Sequence, residues 1–139
     1  MLAGMRAAGT AALCALVAAL ASCGGGDDDD GDAGGLAREA SAVIEELERS
    51  IAAGEFERIC SELLSAEVRR QAGGGECPAM LARTAAGVNR PRIEVREIRI
   101  EGATAAVDVV TVAEGQARAQ DTISLVREAG GYRISSLSG

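Results

Sequence analysis

The chain has 139 residues, enough for one small domain once an N-terminal leader is set aside. All 14 of its basic residues are arginine, and it contains neither lysine nor histidine. These absences exclude a P-loop lysine, a Schiff-base lysine and the histidine-dependent catalytic and zinc sites. The formal net charge is −7, but from Leu36 onward 13 arginines stand against 16 acidic residues. The domain therefore offers no basic field for nucleic acid, and no cofactor is expected.

The N-terminal segment has the pattern of a secretory signal peptide. Arg6 precedes an apolar stretch over residues 8–20. This stretch is shorter than a membrane-spanning helix, which needs about 20 residues. The stretch ends in Leu20-Ala21-Ser22-Cys23, which resembles the lipobox of bacterial lipoproteins. The resemblance implies that residues 1–22 are removed, that Cys23 is acylated, and that the protein is lipid-anchored on the extracytoplasmic face of the cell membrane. The alternatives are an uncleaved anchor, or ordinary cleavage near Ala21 that leaves Cys23 free.

Residues 23–35 predict a disordered linker behind the acylated cysteine, because glycine flexibility and a run of aspartates cannot build a core. The run invites comparison with a calcium-binding EF-hand loop. If Gly31 were the loop's invariant glycine, positions one and twelve would be Gly26 and Ala37, and neither is a carboxylate. We therefore expect a solvated spacer and no metal site.

A helical half opens the domain predicted over residues 36–139. Apolar residues at helical spacing predict a first helix that ends at Gly54: Leu36, Ala40, Val43, Ile44, Leu47 and Ile51. A second amphipathic helix follows from Phe56. Ser65 is positioned to cap a short turn or helix through Gln71, and Pro78 fits the first position of a third helix.

The positions of the four cysteines in the chain indicate their roles. Cys14 lies in the leader and Cys23 takes the lipid, which leaves Cys60 and Cys77 as an exported pair. Export makes a disulfide the expected state of that pair. Metal binding by two cysteines without histidine, or a redox pair at a spacing so unlike C-x-x-C, is disfavoured.

From Arg92 onward the apolar period changes to two, which predicts an antiparallel meander of four strands. The apolar faces predict the register between the second and third strands: Ala105 opposite Leu125, Val107 opposite Ile123, and Val109 opposite Asp121. This register makes Asp121 the one acidic group on the core face, solvated or paired with Arg118, while Asp108 points the other way.

Helices followed by a curved four-stranded antiparallel sheet make an α+β domain that resembles the cone-shaped nuclear-transport-factor-2-like superfamily, and more narrowly the small actinobacterial lipoproteins of that type. The resemblance covers residues 36–139 and is carried by Gly54-Glu55-Phe56, Cys60, Leu63-Leu64-Ser65, Cys77, Gly102, the alternation Ala105-x-Val107-x-Val109, Leu125-Val126-Arg127-Glu128 and Gly131-Tyr132-Arg133-Ile134. Tyr132 stands where a tryptophan is common in that superfamily.

Three functions are compatible with this fold. The resemblance to isomerases and cyclases of the superfamily implies an acidic base, for which Asp121 is the only weak candidate. Tyr132, the only phenol, lies opposite Arg127 and about 20 Å along the strand from Asp121, too far to act on one substrate atom. We favour a non-enzymatic binding or interaction module, a homodimer or a partner-binding factor, because the second sheet face carries Val95, Val110, Val112 and Val126. The alternative is a carrier of a small hydrophobic ligand or lipid in the cone.

Overall fold

The helical half covers one face of the sheet in this computed structural model, which describes residues 28–138. Its helices are α1 (Asp28–Ala53), α2 (Phe56–Arg58), α3 (Ala66–Gln71) and α4 (Cys77–Thr84). A π-helical turn, Ile59–Leu63, continues α2, and a 3-10 turn, Gly74–Glu76, leads into α4. The strands are β1 (Arg92–Glu101), β2 (Thr104–Val112), β3 (Ala119–Glu128) and β4 (Gly131–Ser138).

The four strands form one antiparallel sheet in the order β1-β2-β3-β4, as the alternation predicted. The predicted register of β2 against β3 is confirmed at Ala105–Leu125, Val107–Ile123 and Val109–Asp121. The inner face of the sheet packs on α1, and the core includes fully buried Ile44, Val107, Leu125 and Ile134. Among the described residues, the core side chains come from residues 36–134.

Helix α1 lies along the inner face and is fixed to the sheet at two points by carboxylates. Near the middle of the helix, Glu39 accepts the backbone N–H of Tyr132 at 3.2 Å and pairs with Arg127 at 3.0 Å. About two and a half turns further on, Glu48 accepts the backbone N–H of Ile93 at the start of β1. Helix α1 therefore runs from the β3–β4 turn toward the end of the sheet where β1 begins.

The helix α1 begins earlier than the sequence suggested. We predicted a linker over residues 23–35 and a helix from Leu36, whereas α1 starts at Asp28. The prediction is therefore wrong for residues 28–35, and residues 23–27 lie outside the described part of the chain. A physical reason is that helix N-termini favour acidic residues through the helix dipole, and the prediction weighed only glycine flexibility and charge repulsion.

Two predicted helix ends are confirmed by their local chemistry. The Ser65 side chain accepts the backbone N–H of Val68 at 3.2 Å and caps α3 as expected. Gly54 follows α1 with a φ of 72°, a left-handed conformation in which a β-carbon would be strained. The backbone therefore turns sharply there and starts α2 two residues later.

One bulge changes which face of the sheet several residues occupy. The pairing of β1 with β2 shifts between Val95 and Glu97, so Arg96 is the extra residue. Because of this shift Val95 lies opposite Val109 and packs against the core with Ile93. The prediction that Val95 belongs to the second face is therefore wrong.

Candidate functional site

An apolar cavity of about 450 Å³ lies between the helices and the inner face, at the end of the sheet where β1 begins. Its walls come from the last turns of α1, the α2 and π-helical segment, α4, and the ends of all four strands. Representative lining residues are Ile51, Phe56, Leu81, Ile93, Ile123 and Leu137. This volume falls within the range of about 300–1,000 Å³ that small-molecule sites occupy.

The cavity is bordered by a small set of polar groups. Asp121 and Thr111 are half-buried and line it from the inner face, and the Thr111 hydroxyl donates to Oδ2 of Asp121 at 3.2 Å. Arg92 and Gln116 line it from exposed positions. Thr111 is not among the site residues that the sequence indicates, although the alternation of β2 places it two residues from Val109 on the same face.

Of the two settings predicted for Asp121, solvated or paired with Arg118, the ion pair with Arg118 does not form. Arg118 pairs with Glu94 at 3.2 Å, on the side of β1. Among the described residues no arginine forms an ion pair with Asp121, and its hydrogen bond there comes from Thr111. The carboxylate thus keeps acceptor capacity on the side of the cavity.

The disulfide between Cys60 and Cys77 is present, with both cysteines buried and their Cα atoms 6.2 Å apart. It joins the π-helical turn to the start of α4. Ile59 precedes Cys60, and Leu81 lies one turn after Cys77, and both line the cavity. The bridge therefore fixes two of the cavity walls relative to each other. Cys23, the predicted lipidation residue, lies outside the described part of the chain.

Tyr132 is separated from this cavity. It is buried, it lies opposite Arg127 as predicted, and the Arg127 guanidinium sits 5.1 Å from its ring centroid. Its hydroxyl is buried without a hydrogen-bond partner among the described residues. The phenol and Asp121 therefore do not converge on one point, and the structure keeps apart the two groups that an isomerase-like mechanism would require together.

The outer face of the sheet carries an ion-pair network. The Arg99 guanidinium donates to both carboxylate oxygens of Asp108, and the Thr122 hydroxyl donates to Asp108 at 2.8 Å. The hydrogen bond from Arg99, assisted by that from Thr122, lowers the pKa of Asp108 below its ordinary value. The same pairing raises the pKa of Arg99.

The apolar second face that we predicted is largely absent. Val95 belongs to the inner face and Val112 lines the cavity. Val110 is buried, in a hollow that Arg96, Arg118 and Gln120 also line. Val126, the fourth predicted residue, is half-buried opposite Thr104 and Arg133, and the outer face otherwise presents mostly charged and hydroxyl side chains to solvent.

Within residues 28–138 no helix is both long and apolar enough to cross a membrane. The same residues contain no group of three or more carboxylate or cysteine side chains positioned to hold a metal ion.

Comparison with known proteins identifies the fold. No family model and no curated protein matches the chain. The solved chain Rd1NTF2_05, in a five-substitution variant, is similar with a TM-score of 0.55 and 12% identity, over 71% of this chain and 94% of that one. A Campylobacter jejuni protein provisionally named an NTF2-like transpeptidase is similar with a TM-score of 0.51 and 12% identity, over 70% of this chain and 97% of that one.

These similarities and the sheet topology show an α+β domain of the nuclear-transport-factor-2-like fold, as the sequence predicted. At this identity they show the fold alone. The fold occurs in enzymes and in non-enzymes, so the fold alone does not define an activity.

Proposed function

We propose that this protein is a lipid-anchored extracytoplasmic carrier that binds a small apolar molecule in the cavity between its helices and its sheet. The observation that supports this proposal most strongly is the cavity of about 450 Å³, with apolar side chains on its walls and a few polar groups at one side. Such a combination is what small-molecule sites have in common. Of the functions considered from the sequence, the carrier is the one that the geometry favours.

The position of the cavity suits a tethered carrier. The lipid anchor proposed at Cys23 precedes α1, and the first cavity residue of α1, Leu47, lies about 28 Å along the helix from Asp28 at ~1.5 Å per residue. The cavity is thus at the opposite end of α1 from Asp28. We propose that it exchanges its ligand on the side away from the anchored end of α1.

Two observations favour a carrier over the other candidates. The first concerns catalysis: Asp121 borders the cavity but Tyr132 does not, so an acid and a base do not meet on one ligand atom. The second concerns a partner-binding module, which we had favoured because of an apolar outer face. That face carries the Arg99–Asp108 ion pair instead, which weakens the main argument for a partner-binding module.

A pair of neighbouring alanines allows a direct test of the carrier. Ala85 lines the cavity, whereas Ala86 is exposed and does not. The chain from residue 24 onward, exported to an oxidising compartment, contains the whole described core and the disulfide. Ala85→Phe should fill part of the cavity and reduce binding of 1-octanol at least tenfold by isothermal titration calorimetry, while Ala86→Phe should leave it within twofold.

The same chain should behave as a monomer in native mass spectrometry, and an apolar adduct that survives purification would identify the natural ligand. An empty dimer with no 1-octanol binding would contradict the carrier and favour the interaction module. Equal binding by both phenylalanine variants would place the ligand outside the cavity.

The anchor has its own test, because the leader contains a separate cysteine, Cys14, that serves as a control. Cys23→Ser should abolish metabolic labelling with a palmitate analogue and release the protein from the membrane fraction. Cys14→Ser should retain the label. Labelling that survives Cys23→Ser would contradict the proposed site.

A further inference from the structure

The carboxylate of Asp121 is unusual among the acidic groups of the domain because it borders the apolar cavity. Arginines pair with several other acids, among them Glu39, Glu46, Glu94 and Asp108. Asp121 is half-buried, and of the described residues only the neutral Thr111 hydroxyl donates a side-chain hydrogen bond to it. A charged group at an apolar wall is stabilised most by a cationic donor. Arg96 and Arg118 line an adjoining hollow together with Asp121, but both of them pair with Glu94, and no described arginine forms an ion pair with Asp121.

The only cation among the described residues that line the cavity is Arg92, and its setting is different. Arg92 is exposed, so water and salt screen its charge, whereas Asp121 is half-buried next to Val109 and Ile123. An interaction with a ligand group is therefore stronger at Asp121 than at Arg92. The cavity is electrostatically suited to a cation more than to an anion.

We propose that the ligand is a cationic amphiphile: an apolar body that fills the cavity and a protonated amine that donates to Asp121. The Thr111 hydroxyl holds Oδ2, which leaves Oδ1 to accept from the ammonium group. Asp121 is a specificity-determining residue in this account, not a general base. The inference rests on the proposed carrier function and adds the chemical class of the ligand.

Three probes that share an eight-carbon chain and differ in their head groups test this proposal: octylamine, 1-octanol and octanoate. At pH 7 octylamine is protonated and octanoate is ionised. Calorimetric titration of the chain from residue 24 onward should show octylamine binding about fivefold more tightly than 1-octanol and at least tenfold more tightly than octanoate. This order is measured on the natural side chains and does not depend on how a variant folds.

Asp121→Asn should reduce octylamine affinity about fivefold, to the level of 1-octanol, and change 1-octanol affinity less than twofold. Asp108→Asn makes the same chemical change on the outer face and should leave all three affinities within twofold.

Octanoate binding as tightly as octylamine would overturn the proposal and point to Arg92 as the selective group. Octylamine binding unaffected by Asp121→Asn would also overturn it, with the carrier left intact. Failure of all three probes to bind would overturn the carrier as well.

Discussion

Loss of the Cys60–Cys77 disulfide should strongly lower the unfolding free energy of this domain. The two cysteines are 17 residues apart, and closing a loop of that length is worth about 3 kcal/mol on the chain-entropy model. The contribution is large for this protein because Phe56 and Tyr132 are its only aromatic residues, so aliphatic side chains provide most of the core.

Urea unfolding of the chain from residue 24 onward, followed by circular dichroism, measures this contribution. Reduction should lower the midpoint by about 1–3 M, since small domains lose ~1–3 kcal/mol of stability per molar urea. The Cys60→Ala/Cys77→Ala variant should lose at least as much, because both side chains are buried. Ligand binding should weaken in parallel, because the bridge joins the segments that carry Ile59 and Leu81. A loss below about 1 kcal/mol would refute this reasoning.

Three further predictions concern the backbone, the helix–sheet contact and the outer ion pair, and each is measured by urea unfolding. Gly54→Ala should destabilise the domain by about 1 kcal/mol, because φ is positive at that residue. Gly35→Ala should stabilise α1 by about 0.5–1 kcal/mol, because the added β-carbon meets nothing within 4 Å. No effect of the substitution at Gly35 would support the linker predicted from the sequence. Glu48→Ala should lower the unfolding free energy by about 1–3 kcal/mol, because the backbone N–H of Ile93 loses its acceptor. Glu45 is exposed, so Glu45→Ala should change the unfolding free energy by no more than about 0.5 kcal/mol. Equal losses in the two variants would contradict the contact between Glu48 and Ile93. Folding lowers the pKa of Asp108, so the stability that its charged form contributes is present above the unfolded-state pKa and is lost as the pH falls through the folded-state pKa. Asp108→Asn should flatten this part of the plot of unfolding free energy against pH. An unchanged plot would show that Arg99 does not stabilise the charged form.

The pairing of the sheet could be predicted because each strand has a buried face. A slip of one residue between β2 and β3 would have moved Val107 and Ile123 to the polar side, which costs far more than any local preference gains. The bulge at Arg96 could not be predicted in this way. Alternation assumes a fixed period of two, and an extra residue shifts that period without any change in composition.

The candidate site was only partly accessible from the sequence. The alternation of β3 placed Asp121 on the inner face, and the count of cysteines in a chain predicted to be exported indicated the disulfide. The cavity is a different kind of feature, because it is the space left between segments that are distant in sequence, such as Phe56, Leu81 and Leu137. No local pattern specifies how completely such segments fill the volume between them.

The central claim, that the cavity holds a small apolar ligand, is tested most directly by methyl nuclear magnetic resonance during titration with 1-octanol. We expect saturable chemical-shift changes at the methyl groups of Leu81, Val88 and Leu137, which line the cavity, and unchanged signals from Ile44 and Val107 in the core. Shifts confined to the cavity residues would confirm the site. A folded protein whose cavity methyl groups do not respond at saturating 1-octanol would contradict the account.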